Sequence, residues 1–174
     1  MAWIYLLLYQ AAWWACALSG PFEFALLGPT VVVVQFLAWL IAVKDPTREL
    51  ILIFSLSSIG IAIDSTLLYL EVLIIPTYFL IQPPYPPLWL VSLWISFAVG
   101  LRNCLQKMRG RYLIAALLGI LGGPLAYSGG QGLGALALSE QALWVLGCVW
   151  AGIFPLFIKI SDLYPFEIKY QKSS

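Results

Sequence analysis

The sequence predicts an all-α polytopic membrane protein: one integral-membrane domain over residues 1–174, with about six transmembrane helices. Three observations carry this. Apolar residues make up 62% of the chain and the mean hydropathy is +0.94, well outside the range of soluble domains. Six apolar stretches approach the roughly 20 residues that a spanning helix needs. Basic residues fall only in alternate connections between those stretches, as the positive-inside rule requires of an even number of spans.

The stretches lie at 2–19, 24–43, 50–74, 88–106, 112–136 and 141–159, separated by Gly-Pro, Lys-Asp-Pro and Pro-Pro punctuation. The first carries Ala15-Cys16-Ala17, a small-residue pattern like a signal cleavage site. No Lys or Arg precedes it, so it reads as helix one. Between helices three and four, Ile75 to Pro87 holds five prolines and two tyrosines, too broken for a helix and too apolar for a solvated linker. It reads as an outer interfacial segment or as a lid over a cavity. The segment from Ile160 to Ser174 mixes Tyr164, Phe166 and Tyr170 with Lys169 and Lys172, which suits a membrane surface or a frayed terminus.

Lys44 and Arg48 follow helix two, Lys107, Arg109 and Arg111 follow helix four, and Lys169 and Lys172 follow helix six; the other connections contain no Lys or Arg. Both termini are therefore expected in the cytoplasm. Trp39, Trp89 and Trp144 fall near helix ends, where interfacial tryptophans gather.

The run Gly119 to Ala135 contains seven of the fourteen glycines. Ala115, Gly119 and Gly123 recur every four residues, as do Ala126, Gly130 and Gly134, so small residues line one face where another backbone can approach. Pro124 cannot donate to the carbonyl of Ile120, which predicts a kink or break in helix five.

Net charge is +1 and charged residues are only 10%, so no basic surface exists for nucleic acid. Histidine is absent and Cys16, Cys104 and Cys148 are far apart, which leaves no zinc, haem or histidine-box spacing and no Ser-His-Asp triad. Neither a metal nor another cofactor is expected, and the cysteines read as small packing residues. Asp64 stands out: it lies near the middle of helix three, where a lone carboxylate costs a few kcal/mol in hydrocarbon. Glu71 follows about 10 Å along the helix, too far to share a proton. Arg102 and Asn103 occupy the inner half of helix four, and Arg102 differs in depth from Asp64 by about 10 Å, a gap its long side chain can narrow if the helices adjoin; pairing with Asp64 is left open beside a structural ion pair or a snorkelling arginine. With Trp94 and Tyr127, these residues form a candidate ligand-binding cavity of Asp64, Arg102, Asn103, Trp94 and Tyr127. Gly119, Gly123, Pro124 and Gly130 serve packing and the bend. Gln10, Gln35 and Gln131 read as interhelical hydrogen-bonding groups.

Three segments, GIAIDSTLLYLEVL at Gly60 to Leu73, PPLWLVSLWISFAVGL at Pro86 to Leu101 and GGPLAYSGGQGLGAL at Gly122 to Leu136, together resemble a family. It comprises bacterial integral-membrane proteins grouped as a domain of unknown function, often encoded beside cyclopropane-fatty-acid-synthase-like methyltransferases. The resemblance covers about residues 50–158 and rests on Asp64, Pro87 with Trp89, Leu93 with Trp94, and Pro124, Leu125, Tyr127 and Gly130. It implies a bacterial inner membrane and a link to lipid metabolism, and names no catalytic residue. The leading expectation is a protein that binds or helps modify acyl lipids. The alternatives are a substrate-binding component of a small-molecule transporter, which six helices with Ala11 and Ala15 four apart weakly resemble, and a scaffold that recruits a partner membrane protein.

Overall fold

The structure is a computed structural model that describes residues 2–21, 24–76, 84–105 and 108–163; side chains at 2–5, 101 and 103–105 fall outside the description. Six helices are described: α1 (Ala2–Ser19), α2 (Leu27–Ala42), α3 (Pro46–Tyr69), α4 (Leu88–Leu105), α5 (Tyr112–Gly132) and α6 (Ala142–Asp162). Two short strands accompany them, β1 (Leu73–Ile74) and β2 (Ala137–Leu138). By length and composition α3, α5 and α6 can each cross a membrane, while Leu6–Ser19, Leu27–Ala42 and Leu88–Gly100 are apolar but shorter.

Local chemistry explains where the helices depart from the expected bounds. α3 begins at Pro46 rather than 50, because Asp45 accepts a hydrogen bond from the Arg48 amide at 3.2 Å and Pro46 occupies the first turn, where no N–H is needed. Glu49 is thereby drawn into the helix. α3 and α5 stop four to five residues earlier than hydropathy suggests, at Tyr69 and Gly132. Both end in the same closure. In α3 the Val72 amide donates to Leu67 O at 2.9 Å and Glu71 to Leu68 O at 3.1 Å; in α5 Ala135 donates to Gly130 O and Gly134 to Gln131 O, both at 2.9 Å. These paired bonds require a left-handed residue, which is Gly134 (φ 77°) in α5 and Glu71 (φ 55°) in α3. The apolar residues beyond turn into β1 and β2, which pair antiparallel with Leu73 opposite Leu138 and Ile74 opposite Ala137.

Gly60, Asp64 and Glu71 stand at the same spacings as Gly123, Tyr127 and Gly134. The buried set of α5, Ala115, Gly119, Gly123, Tyr127 and Gly130, falls position for position on Leu52, Leu56, Gly60, Asp64 and Leu67, all buried in α3. α3–β1–α4 and α5–β2–α6 repeat one helix–strand–helix order, joined by strands that pair at equivalent positions. α4 is the common neighbour, packing on α1, α2, α3 and α6, while α5 packs mainly on α6.

α5 is continuous through Pro124, so the expected break does not occur. The Ile120 carbonyl, deprived of its helical donor, lies against Gly147 of α6, where a Cβ would stand 3.6 Å from the oxygen. Close approach along α5 is pronounced: a Cβ on Gly119 would stand 2.2 Å from the Trp150 carbonyl oxygen. Gly130, by contrast, has ordinary space beside Leu136. Of the three tryptophans assigned to interfaces, Trp144 is 83% exposed, but Trp39 and Trp89 are buried in the core. They face inward because α4 and its neighbours close around them, Trp39 among Val43, Leu52 and Ile53, Trp89 among Leu67, Leu73 and Leu136. Cys16 packs against Gly28 as expected, whereas Cys148 is exposed. Residues 77–83 of the Pro-rich loop and the segment from 164 onward lie outside the described residues, and with them the lid and surface readings.

Glu71 holds a left-handed conformation that costs a β-carbon roughly 1 kcal/mol. Glu71→Gly is expected to raise stability by about that amount, and Gly134→Ala to lower it similarly, measured as Tm shifts of the purified protein in detergent.

Candidate functional site

Asp64 is fully buried, and both its oxygens are received by neighbours from other helices. Trp94 of α4 donates its indole N–H to Oδ2 at 2.6 Å, and Tyr127 of α5 donates its hydroxyl to Oδ1 at 2.5 Å. Among the described residues no Lys or Arg lies within ion-pair distance of Asp64. Two charge-assisted hydrogen bonds, each about 1.5–3 kcal/mol, stand in place of a counter-ion.

Why these side chains meet follows from the repeat. Asp64 and Tyr127 occupy equivalent positions in α3 and α5, so the pairing of β1 with β2 sets them facing each other. Trp94 reaches Asp64 because Gly60, one turn earlier, has no side chain: a Cβ there would stand 2.1 Å from the indole. On its other face Trp94 stacks on Trp150 of α6, with ring centroids 5.5 Å apart and planes within 11°. Trp150 in turn lies on Gly123, where a Cβ would stand 2.2 Å from its ring. The order Gly60, Trp94, Trp150, Gly123 thus runs through all four helices of the repeat. Phe97 meets both indoles edge-on, at 5.6 Å from Trp94 and 5.3 Å from Trp150.

The Asp64–Arg102 contact that the sequence leaves open does not form. Arg102 is buried near the opposite end of α4 and donates through Nε to Glu49 Oε2 at 2.8 Å, through Nη2 to Glu49 Oε1, and through Nη1 to Ser161 Oγ at 2.7 Å. Antiparallel register carries residue 102 away from Asp64: eight residues beyond Trp94, its backbone stands about two turns nearer the start of α3, and its long side chain reaches on to Glu49 in the first turn. Asn103 belongs to α4, and its side chain lies outside the described residues. The proposed five-residue cavity therefore separates into two groups, Asp64 with Trp94 and Tyr127, and Arg102 with Glu49 and Ser161. Gln35 does join helices, accepting from Ser96 at 2.7 Å.

Beside Tyr127 is a cavity of about 50 Å³, walled by Tyr9, Trp13, Trp89, Phe97 and Trp150 and almost wholly apolar. It adjoins a groove of about 580 Å³ between α1 and α5, lined by Gln10, Trp14, Gly122, Leu125, Gly129 and Gly132. Tyr9, Trp13 and Ala126 line both spaces. The groove opens sideways, beside Leu125 at 70% exposure. Trp13 crosses it to rest on Gly129, with its ring 3.0 Å from where a Cβ would stand.

Sequence reasoning missed Glu49, Gly60, Tyr9, Trp13 and Trp150. The signal for Gly60 was present as the shared Gly-x-x-x spacing before Asp64 and before Tyr127. Glu49 lay in a charged turn read as a connection, and Trp150 looked like any apolar residue of its helix.

Removing one member of the buried Arg102–Glu49 pair is expected to cost about 3–5 kcal/mol, and Arg102→Met with Glu49→Leu together far less, by SDS or urea unfolding. Gly60→Ala forces the Trp94 ring from its seat and is expected to cost about 1–3 kcal/mol in the same assay, with altered tryptophan fluorescence.

No curated protein and no solved structure matches the chain. A family model described as a protein of unknown function, DUF2878, matches residues 2–156. The match takes in α1 and α2 as well as the segments that carried the resemblance, and so includes Tyr9 and Trp13 along with Asp64, Trp94, Tyr127 and Trp150. The chain belongs to the DUF2878 family of proteins of unknown function.

Proposed function

We propose that this is a six-span membrane protein that takes an acyl lipid or comparable amphiphile from the side, through the α1–α5 groove, into the aromatic cavity beside Tyr127. The observation that carries the reading is that the two spaces lie side by side and share wall residues. A buried, almost wholly apolar cavity shares Tyr9 and Trp13 with a groove that opens laterally among exposed apolar side chains. A soluble cargo would call for an opening at one end of the bundle; a molecule dissolved in the bilayer arrives from the side.

Membrane insertion is supported by three helices of spanning length and by the apolar outward faces, including Leu7, Val34, Ile41, Leu113, Leu121 and Trp144. The three shorter helices complete six spans in this reading. The distribution of Lys and Arg favours cytoplasmic termini in a bacterial inner membrane. α5 is taken to bend at Pro124, which widens the groove on the side away from α6. The reading is of binding and presentation of a lipid, to a partner membrane enzyme where modification occurs. The family resemblance to proteins encoded near lipid-modifying methyltransferases agrees with this role.

The test is native mass spectrometry with lipid extraction on gently purified protein. A defined amphiphile is expected to co-purify with the wild type and to be depleted severalfold in Gly129→Leu, which fills the groove beneath Trp13. A wild type that carries no small molecule, or a Gly129→Leu variant with unchanged content, would contradict the reading.

A further inference from the structure

The linings of the cavity and the groove differ, and the difference decides which end of an amphiphile each receives. This inference rests on the cavity reading above and specifies how the ligand lies. The cavity wall is aromatic, and two of its polar edges are engaged elsewhere: Trp94 gives its N–H and Tyr127 its hydroxyl proton to Asp64, which is fully buried and is no part of the wall. The indole faces are taken as well. Trp94 has Gly60 on one side and Trp150 on the other, and Trp150 lies on Gly123, so neither indole offers an open face to a cationic head. What the cavity presents is an almost wholly apolar surface. A polar group placed there without a hydrogen bond is penalised, whatever its charge.

Polar lining is found in the groove instead. Gln10 is exposed there with an amide that both donates and accepts, and Gly122, Gly129 and Gly132 put no side chain over the α5 backbone; where Cβ atoms of Gly122 and Gly132 would stand there is open space. Tyr9, Trp13 and Ala126 line both spaces, so a molecule that occupies both lies against these three. Size adds a second constraint. The cavity, at about 50 Å³, is well below the roughly 150 Å³ that takes up a benzene ring in an apolar protein core. It has room for the last few carbons of a chain and none for a ring. We infer that the ligand lies tail-first, with the methyl end of one straight hydrocarbon chain in the aromatic cavity and its polar end on the side of the α1–α5 groove, so that the site selects by the chain terminus rather than by the head.

The test uses the full-length protein in nanodiscs and two photoreactive amphiphiles with the same chain and the same alcohol head, one carrying a diazirine at the chain end and the other beside the head. Adducts are mapped by proteolysis and mass spectrometry. The chain-end probe is expected to label the cavity wall around Phe97 and Trp150, and the head-side probe the groove around Gln10, Trp14 and Gly122 to Gly132. Unlabelled competitors give a second readout. A chain that ends in a hydroxyl or a cyclohexyl ring is expected to need at least about tenfold more than the straight chain to suppress the chain-end adduct, while exchange of the alcohol head for a carboxylate or an ammonium changes that concentration less. The reverse labelling pattern, both probes labelling both walls alike, or a head exchange that outweighs both terminal changes would overturn the inference and leave the cavity reading intact. Adducts at the cavity wall from neither probe would overturn the cavity reading and this inference with it.

Discussion

A single buried carboxylate sets the terms for the rest of this fold. Asp64 has no counter-ion among the described residues, so its stability depends on two donors arriving from different helices at 2.5 and 2.6 Å. For Trp94 to arrive, Gly60 must lack a side chain; for Trp94 to stay, Trp150 must stack on it; for Trp150 to fit, Gly123 must also be bare. Tyr127 arrives because β1 and β2 pair and set the C-terminal ends of α3 and α5 side by side. Glycine, aromatic stacking and strand pairing serve one electrostatic requirement here.

The repeated element order gives this arrangement its geometry. One helix–strand–helix unit, used twice, places the same backbone positions on either side of the strand pair. Differences at those positions then create the site: where one copy has Asp64 the other has Tyr127, an acceptor opposite a donor. Both copies keep the glycine one turn earlier, and both following helices bring a tryptophan to it. α1 lies outside the repeat, and its side chains Tyr9 and Trp13 close the cavity on the flank that faces α5. The polar pair Arg102–Glu49 sits away from this centre and ties α4 to the first turn of α3 and to Ser161 of α6. It acts as a lock between helices, separate from the cavity.

Much of this was legible in the residues. Six helices were read from hydropathy and Pro-Gly punctuation, and α1, α4 and α5 begin at the expected Ala2, Leu88 and Tyr112. Asp64, Trp94 and Tyr127 each stood out, the first as an ion in an apolar helix, Trp94 through the family resemblance, and Tyr127 as a hydroxyl just after Pro124. The ends of α3 and α5 were not legible, because Val72–Ile75 and Ala135–Leu138 continue the apolar run without a break. The backbone reverses at Glu71, a residue type that seldom marks such a turn. The partner of Arg102 was misread because depth along separate helices was compared without their register. Trp39 and Trp89 were placed at interfaces by position alone, whereas burial depends on which way each helix face turns.

The central claim is that Asp64 and Tyr127 bind the two repeats together as a unit, and a double-mutant cycle measures this most directly. Asp64→Asn, Tyr127→Phe and the double variant would be compared by unfolding free energy in mixed micelles. The account predicts strong coupling, about 1–3 kcal/mol, since Tyr127→Phe removes the shared hydrogen bond and Asp64→Asn strips it of its charge. Effects that add within about 0.5 kcal/mol would contradict it, and would make the carboxylate and the tyrosine independent packing residues.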